Sequence, residues 1–203
     1  MNIYSLFQTC KDKYVLLKVL KQKPNLNIKN SDGYTIPMLA FKHSNDKDVL
    51  LKILKQKPNL EIQCNHGMNI SMYAFMYCKD KDVLLELLKQ KPKLYIPNYQ
   101  RYTIPMFAFM FCKDRDVLLE LFKYRLNLNI KNDNDDMNVI MYAFEYYVDC
   151  PEFDFNVLEK LYNRSSLEYK QLFNSEYNKL KKKYKMKLLI LFRHQKRYGV
   201  TKN

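Results

Sequence analysis

The sequence predicts an all-α fold, a solenoid of repeated helix pairs with short projecting turns and a helical cap at each end. Three observations carry that expectation. Ala40, Ala74, Ala108 and Ala143 recur at steps of 34, 34 and 35 residues, each followed by Phe. The pairs Leu16/Leu17, Leu50/Leu51, Leu84/Leu85 and Leu118/Leu119 keep the same step, as do Pro24, Pro58 and Pro92 and Ile28, Ile62, Ile96 and Ile130. Several phases sharing a period in this range mark units that cannot bury their apolar faces alone and stack on their neighbours. Third, each period contains two apolar stretches at helical spacing, best seen in TIPMFAFMFCKDRDVLLELFKYRLNLNI, residues 103–130.

Each element follows from local chemistry. Residues 38–44 read as a short apolar helix, and 47–56 as an amphipathic one with Val49, Leu50, Ile53 and Leu54 opposite Lys47, Lys52 and Lys55. Asp12, Asp46, Asp80 and Asp114 stand where a side-chain oxygen caps the second helix. Asp48, Asp82 and Asp116 follow in its first turn, favoured by the helix dipole. Pro58 closes that helix, with Lys57 before it expected to be extended. Asp32-Gly33 and His66-Gly67, in one phase, are tight-turn dipeptides. The units run over about 1–30, 31–64, 65–98, 99–132 and 133–163, followed by a basic helical cap over 164–203. Met1 aligns with Thr35, so the first unit is expected to lack its turn and act as the N-terminal cap. Ser165-Ser166-Leu167-Glu168 has the pattern of a capping box, and Ser175 is read as starting a long helix that Gly199 ends.

Composition bounds the function. With 47% hydrophobic residues and three glycines among 203 residues, the chain reads as packed rather than disordered. It has no apolar run long enough to span a membrane and no signal-like segment, so an intracellular address, cytoplasmic or nuclear, is expected. Cys10, Cys78 and Cys112 share one phase. Equivalent points on stacked helices lie about 8–10 Å apart, beyond the ~7 Å reach of a disulfide, so reduced thiols are expected. Nucleotide-binding, zinc-protease and serine-hydrolase motifs are absent, and His43, His66 and His194 are far apart, so neither catalysis, nor a cofactor, nor a metal is expected. Asp133-Asn134-Asp135-Asp136 lacks the Gly and Glu of a calcium loop and reads as a solvated turn.

The charge is uneven. Residues 170–203 hold eleven Lys and Arg against the single acid Glu176, so they carry ten of the fourteen net positive charges. Residues 132–159 hold eight acids and no Lys or Arg.

Residues 25–41, NLNIKNSDGYTIPMLAF, and 138–144, NVIMYAF, resemble the ankyrin repeat, as does the apolar spacing of DVLLKIL in the second helix. The likeness covers roughly residues 1–163. The unit departs from the family in having 34 residues rather than 33, with the extra one between the helices, and in the placement of Pro37 and Pro105. Met38, Met72, Met106 and Met141 stand where the family usually has His. Units of this kind resemble those of large DNA viruses, intracellular bacteria and protists.

The resemblance implies a monomeric, non-enzymatic module that binds a partner protein, a host protein in such a setting, on its concave face. Carried over by phase, that face holds Leu39, Lys42 and His43; Tyr73, Met76 and Tyr77; Phe107, Met110 and Phe111; Tyr142, Glu145 and Tyr146. Arg101, Asn65, Asn98, Tyr99, Gln100, Asn132 and Asn134 lie at the turns. Two arrangements fit this Met and aromatic ladder: exposure to a partner as hot spots, or lateral packing between units. The alternative site is the basic helix, where Lys179, Lys181, Lys182, Lys183, Lys185, Lys187, Arg193, Lys196 and Arg197 fit nucleic acid or an anionic membrane surface. The same charges equally fit a solvated face or a helix docked on the acidic last unit.

Overall fold

The computed structural model describes residues 2–148 and 153–198, with side chains through 186. Among the described residues the protein is all-helical, with eleven α-helices, one π-helical turn and no strand beyond an isolated antiparallel bridge between Gln63 and Asn69. The helices come in pairs: α1 (Ile3–Thr9) with α2 (Lys13–Lys21), α3 (Ile36–His43) with α4 (Lys47–Lys55), α5 (Ile70–Tyr77) with α6 (Lys81–Lys89), and α7 (Ile104–Phe111) with α8 (Arg115–Leu121). Then follow α9 (Val139–Tyr142), which runs into the π-helical turn Ala143–Tyr147, α10 (Phe155–Arg164) and α11 (Leu167–Tyr198). The chain divides into two compact units, Met1–Phe153 and Asp154–Asn203.

In the first unit, helices pack in two layers. α1, α3, α5, α7 and α9 touch in succession to form one layer, and α2, α4, α6 and α8 form the other. Each pair buries the same positions. Val49, Leu50, Ile53 and Leu54 of α4, like Val83, Leu84, Leu87 and Leu88 of α6, are fully buried. Each such side chain contributes about 1.5–3 kcal/mol of transfer free energy, against the backbone entropy that folding removes.

The capping aspartates act as expected. Asp46 accepts from the Val49 N–H, and Asp80 and Asp114 each accept from two N–H groups of the first turn. Proline at the second position of α3 and α7 costs no hydrogen bond, because first-turn N–H groups have no partner within the helix. Rows of side chains tie each pair to the next. Lys13 pairs with Asp48 at 3.2 Å, and Lys47–Asp82 and Lys81–Asp116 repeat the contact. Lys11, Lys79 and Lys113 donate to the carbonyls of His43, Phe111 and Tyr146, in the last turn of the neighbouring inner elements, at 2.8, 3.0 and 2.7 Å.

Several expectations change. Lys23, Lys57 and Lys91, each before a proline, are left-handed with φ of 51°, 51° and 55° rather than extended. Proline biases the residue before it toward extended backbone, but the left-handed turn lets these N–H groups donate to Leu20, Leu54 and Leu88 at the helix ends. Of the two arrangements open for the methionines, Met38, Met72 and Met106 take lateral packing and are fully buried. The Met38 and Met106 sulfurs accept the N–H of Thr35 and Thr103 at 3.4 and 3.3 Å.

The 35-residue step lies in a turn. Asn30, Cys64 and Asn98 donate from their N–H to the carbonyls of Tyr34, Met68 and Tyr102, four residues on, whereas Asn132 reaches Met137, five on.

The second unit pairs α10 with α11. The Tyr162 and Tyr177 rings stack at 3.9 Å and 4°, and the Phe155 ring lies 5.4 Å from Tyr177 and 5.3 Å from Tyr184. This aromatic contact groups α10 with α11, so the division falls earlier than residue 163. α11 is one helix that passes through Ser175 without a break. Ser165 does not cap it: its hydroxyl donates to the Leu161 carbonyl at 2.9 Å and closes α10, and the Ser166 hydroxyl is buried without a partner. Gly199 lies outside the described residues.

Candidate functional site: a groove across the inner helices

The inner helices place two aromatic residues four apart, on one helical face. Tyr73 and Tyr77 of α5 stack at 6.2 Å and 11°, Phe107 and Phe111 of α7 at 6.3 Å and 20°, and Tyr142 and Tyr146 at 5.8 Å and 29°. Within each pair the roles divide. Tyr73, Phe107 and Tyr142 are 5%, 4% and 1% exposed, while Tyr77 and Tyr146 are 37% and 43% exposed and Phe111 is half-buried. The first ring packs laterally. Tyr34 lies 5.9 Å from Tyr73, and Tyr102 lies 5.6 Å from Phe107 and 6.2 Å from Tyr142. The second ring faces outward.

The α5 and α7 rings and the turns enclose an open groove of about 640 Å³. Its floor and inner wall are Tyr73, Met76, Tyr77, Phe107, Met110 and Phe111; its rim includes Asn65, His66, Asn98, Tyr99, Gln100 and Asn134. Lys42 stands at one end, its ammonium 5.0 Å from the centre of the Tyr34 ring. No carboxylate lines the groove.

Burial and local bonding set the electrostatics. Tyr73 has its pKa raised by burial, by Tyr34 and by Cys64, whose sulfur is 3.6 Å from the hydroxyl. Tyr142 is raised by burial, then by Tyr102 and by Asp135, to which its hydroxyl donates at 2.8 Å. Burial, then the charges of Lys42 and Lys11, lower the pKa of His43.

The structure thus brings together Tyr73, Met76, Tyr77, Phe107, Met110 and Phe111. It leaves five other expected residues outside the groove wall. Leu39 is fully buried and Tyr142 closes against Asp135. His43 is half-buried, its carbonyl taken by Lys11. Tyr146 is exposed beyond the groove. Arg101 occupies the left-handed tip of its turn, φ 62°, within 4.0 Å of Asp133. Tyr102 and Met68, which the sequence reading missed, line the groove where the turn enters the inner helix. Their phase reads Tyr34, Met68, Tyr102 and Met137, a Met and aromatic alternation that was available as a signal.

On α11, Lys179, Lys182, Lys183 and Lys185 are exposed. Lys181 lies 3.7 Å from Glu159 and 5.5 Å from the centre of the Tyr177 ring. The side chains of Lys187, Arg193, Lys196 and Arg197 lie outside the described residues. Among the described residues no helix is long and apolar enough to cross a membrane, and no group of three or more His, Cys, Asp or Glu is placed to hold a metal ion. No family model matches the chain, and no curated protein matches it.

Proposed function

We propose that the first unit is an ankyrin-like repeat solenoid that works as a non-enzymatic protein-binding module. The observation that supports this reading is the groove: outward rings at one phase of successive helices, thioethers beside them and amide side chains along the rim. Exposed aromatics and methionines supply apolar contact area, and the rim amides supply hydrogen bonds that set specificity. Because the buried rings of Tyr73 and Phe107 hold the outward ones in place, a partner segment is captured with little ordering cost. The free thiols Cys10, Cys64, Cys78 and Cys112 support an intracellular setting.

The test separates the two tiers of rings. Tyr77→Asp with Phe111→Asp is expected to abolish capture of a partner protein from cell lysate while the helical circular-dichroism signal and melting stay near wild type. Phe107→Asp, by contrast, places a carboxylate at a 4% exposed position and is expected to unfold the unit. Equal capture by wild type and the double variant overturns the reading.

The exposed Lys179, Lys182, Lys183 and Lys185 support a second reading, binding of α11 to nucleic acid or an anionic membrane. Such binding is expected to weaken steeply between 50 and 200 mM salt, on the order of tenfold or more. A salt-insensitive signal rules it out.

A further inference from the structure

One phase of the inner layer carries a charge pattern. The position two residues after the repeated alanine is Lys42 in α3, Met76 in α5, Met110 in α7 and Glu145 in the π-helical turn. These elements touch in that order. Read across the face, the phase is therefore cation, thioether, thioether, carboxylate. The phase beside it is His43, Tyr77, Phe111 and Tyr146, apolar or aromatic after the first member.

The surrounding charges leave this polarity standing. At the α3 end, the Lys11 ammonium is spent on the His43 carbonyl at 2.8 Å, and Asp32 lies on the exposed turn of the same repeat. Between the ends, the groove wall holds no carboxylate. At the far end, Glu145 is exposed, and Asp135 accepts from Tyr142. There Lys113 is directed to the Tyr146 carbonyl at 2.7 Å, Asp133 lies 4.0 Å from Arg101, and Asp136 is bound by Lys131 at 2.6 Å.

From this we infer that, given the binding-module reading above, the groove and the π-helical turn next to its α7 wall together take an extended segment of a partner protein with an acidic residue at one end, apolar residues in the middle and a basic residue at the other, which reaches past the groove to Glu145. Its acid meets Lys42, its apolar side chains sit among Met76, Tyr77, Met110 and Phe111, and its base meets Glu145. The length follows from packing. Three helix-to-helix steps of about 8–10 Å span roughly 24–30 Å, which an extended chain at about 3.3–3.6 Å per residue covers with roughly eight residues. The end charges select and orient the segment more than they tighten it, because exposed pairs contribute little.

The experiment is selection from a displayed library of randomised nine-residue peptides on the full chain, then on Lys42→Glu and on Glu145→Lys, each checked for folding by circular dichroism. Wild type is expected to enrich peptides with an apolar centre, an acid near one end and a base near the other. Lys42→Glu is expected to shift the enriched set to bases at both ends, and Glu145→Lys to acids at both ends. Each mismatch should cost about threefold in Kd at low salt and less at 0.5 M NaCl. If the enriched peptides lose binding in Phe111→Asp but carry the same end charges for all three proteins, the charge pattern is wrong and the binding module stands. If no enriched peptide depends on Phe111, the binding module itself fails.

Discussion

The side-chain amide of Gln90 donates to the main-chain carbonyl of Leu54 at 2.8 Å, joining the end of α6 to the end of α4. Gln56 makes the same bond to Leu20 at 3.0 Å, and the Tyr124 hydroxyl takes the place for Leu88. Helix-end carbonyls have no partner within the regular helix; Leu20, Leu54 and Leu88 take one donor from the left-handed lysine that follows and a second from the next outer helix. Gln90→Leu keeps the bulk and removes the bond between the helices, leaving the Leu54 carbonyl only the Lys57 N–H at 2.9 Å. It is expected to cost about 0.5–1.5 kcal/mol, read as a lower urea midpoint with an unchanged slope.

The lysine row on the inner layer has a gap. Lys11, Lys79 and Lys113 each reach a helix-end carbonyl in the next pair, and the equivalent position at α3 is Asn45, which is exposed. Asn45→Lys should extend the row to the Tyr77 carbonyl and raise stability by about 0.5 kcal/mol. An unchanged melting temperature would count against the row as a stabilising device.

Ser71 stands at the second position of α5, where α3 and α7 carry Pro37 and Pro105, and its hydroxyl is buried without a partner. Ser71→Pro removes that hydroxyl and restricts the unfolded chain at a site where neighbouring repeats already accept proline. A gain of about 0.5–1 kcal/mol is expected in urea unfolding.

Gly67 is left-handed, φ 73°, and a Cβ there would stand 2.5 Å from the backbone nitrogen of Tyr99. Gly67→Ala is expected to cost about 1–2 kcal/mol and to displace Tyr99 from the groove rim. Arg101, in the same phase with φ 62°, bears a side chain in that conformation. Arg101→Gly should leave stability at or above wild type by the same urea measurement.

The Lys–Asp row makes stability depend on acid. Hydrogen bonds from Lys47 and Lys81 hold Asp82 and Asp116 below the usual carboxylate range. A depressed folded pKa gives stabilisation that is present above the unfolded value, near 3.9, and lost as pH falls through the folded value. The urea midpoint is therefore expected to drop below about pH 4. The drop should be shallower in a Lys47→Met, Lys81→Met double variant and in 1 M salt.

Much of the repeat was legible because its causes are local. The Asp46, Asp80 and Asp114 caps, the outer helices beginning at Lys47 and Lys81, and the turns at Gly33 and Gly67 each depend on neighbours a few residues away. The candidate groove was legible in its chemistry but not in its tiers. Tyr73 and Tyr77 share a residue type and a helical face, yet one is nearly sealed and the other open. Even the conformation of Lys57 departed from its local expectation, since the hydrogen bond at the end of α4 favoured the left-handed turn.

The sequence alone determined the period, the paired helices of the repeat, their aspartate caps and the Met and aromatic phases. Those follow from spacing and short-range hydrogen bonding. The tertiary structure decided which ring of each pair is covered, where the helix-end carbonyls of Leu54 and Phe111 find donors, and that α10 belongs with α11. Each of these depends on a neighbour brought alongside by packing and distant in the chain, and a residue's own spacing carries no record of which side that neighbour covers.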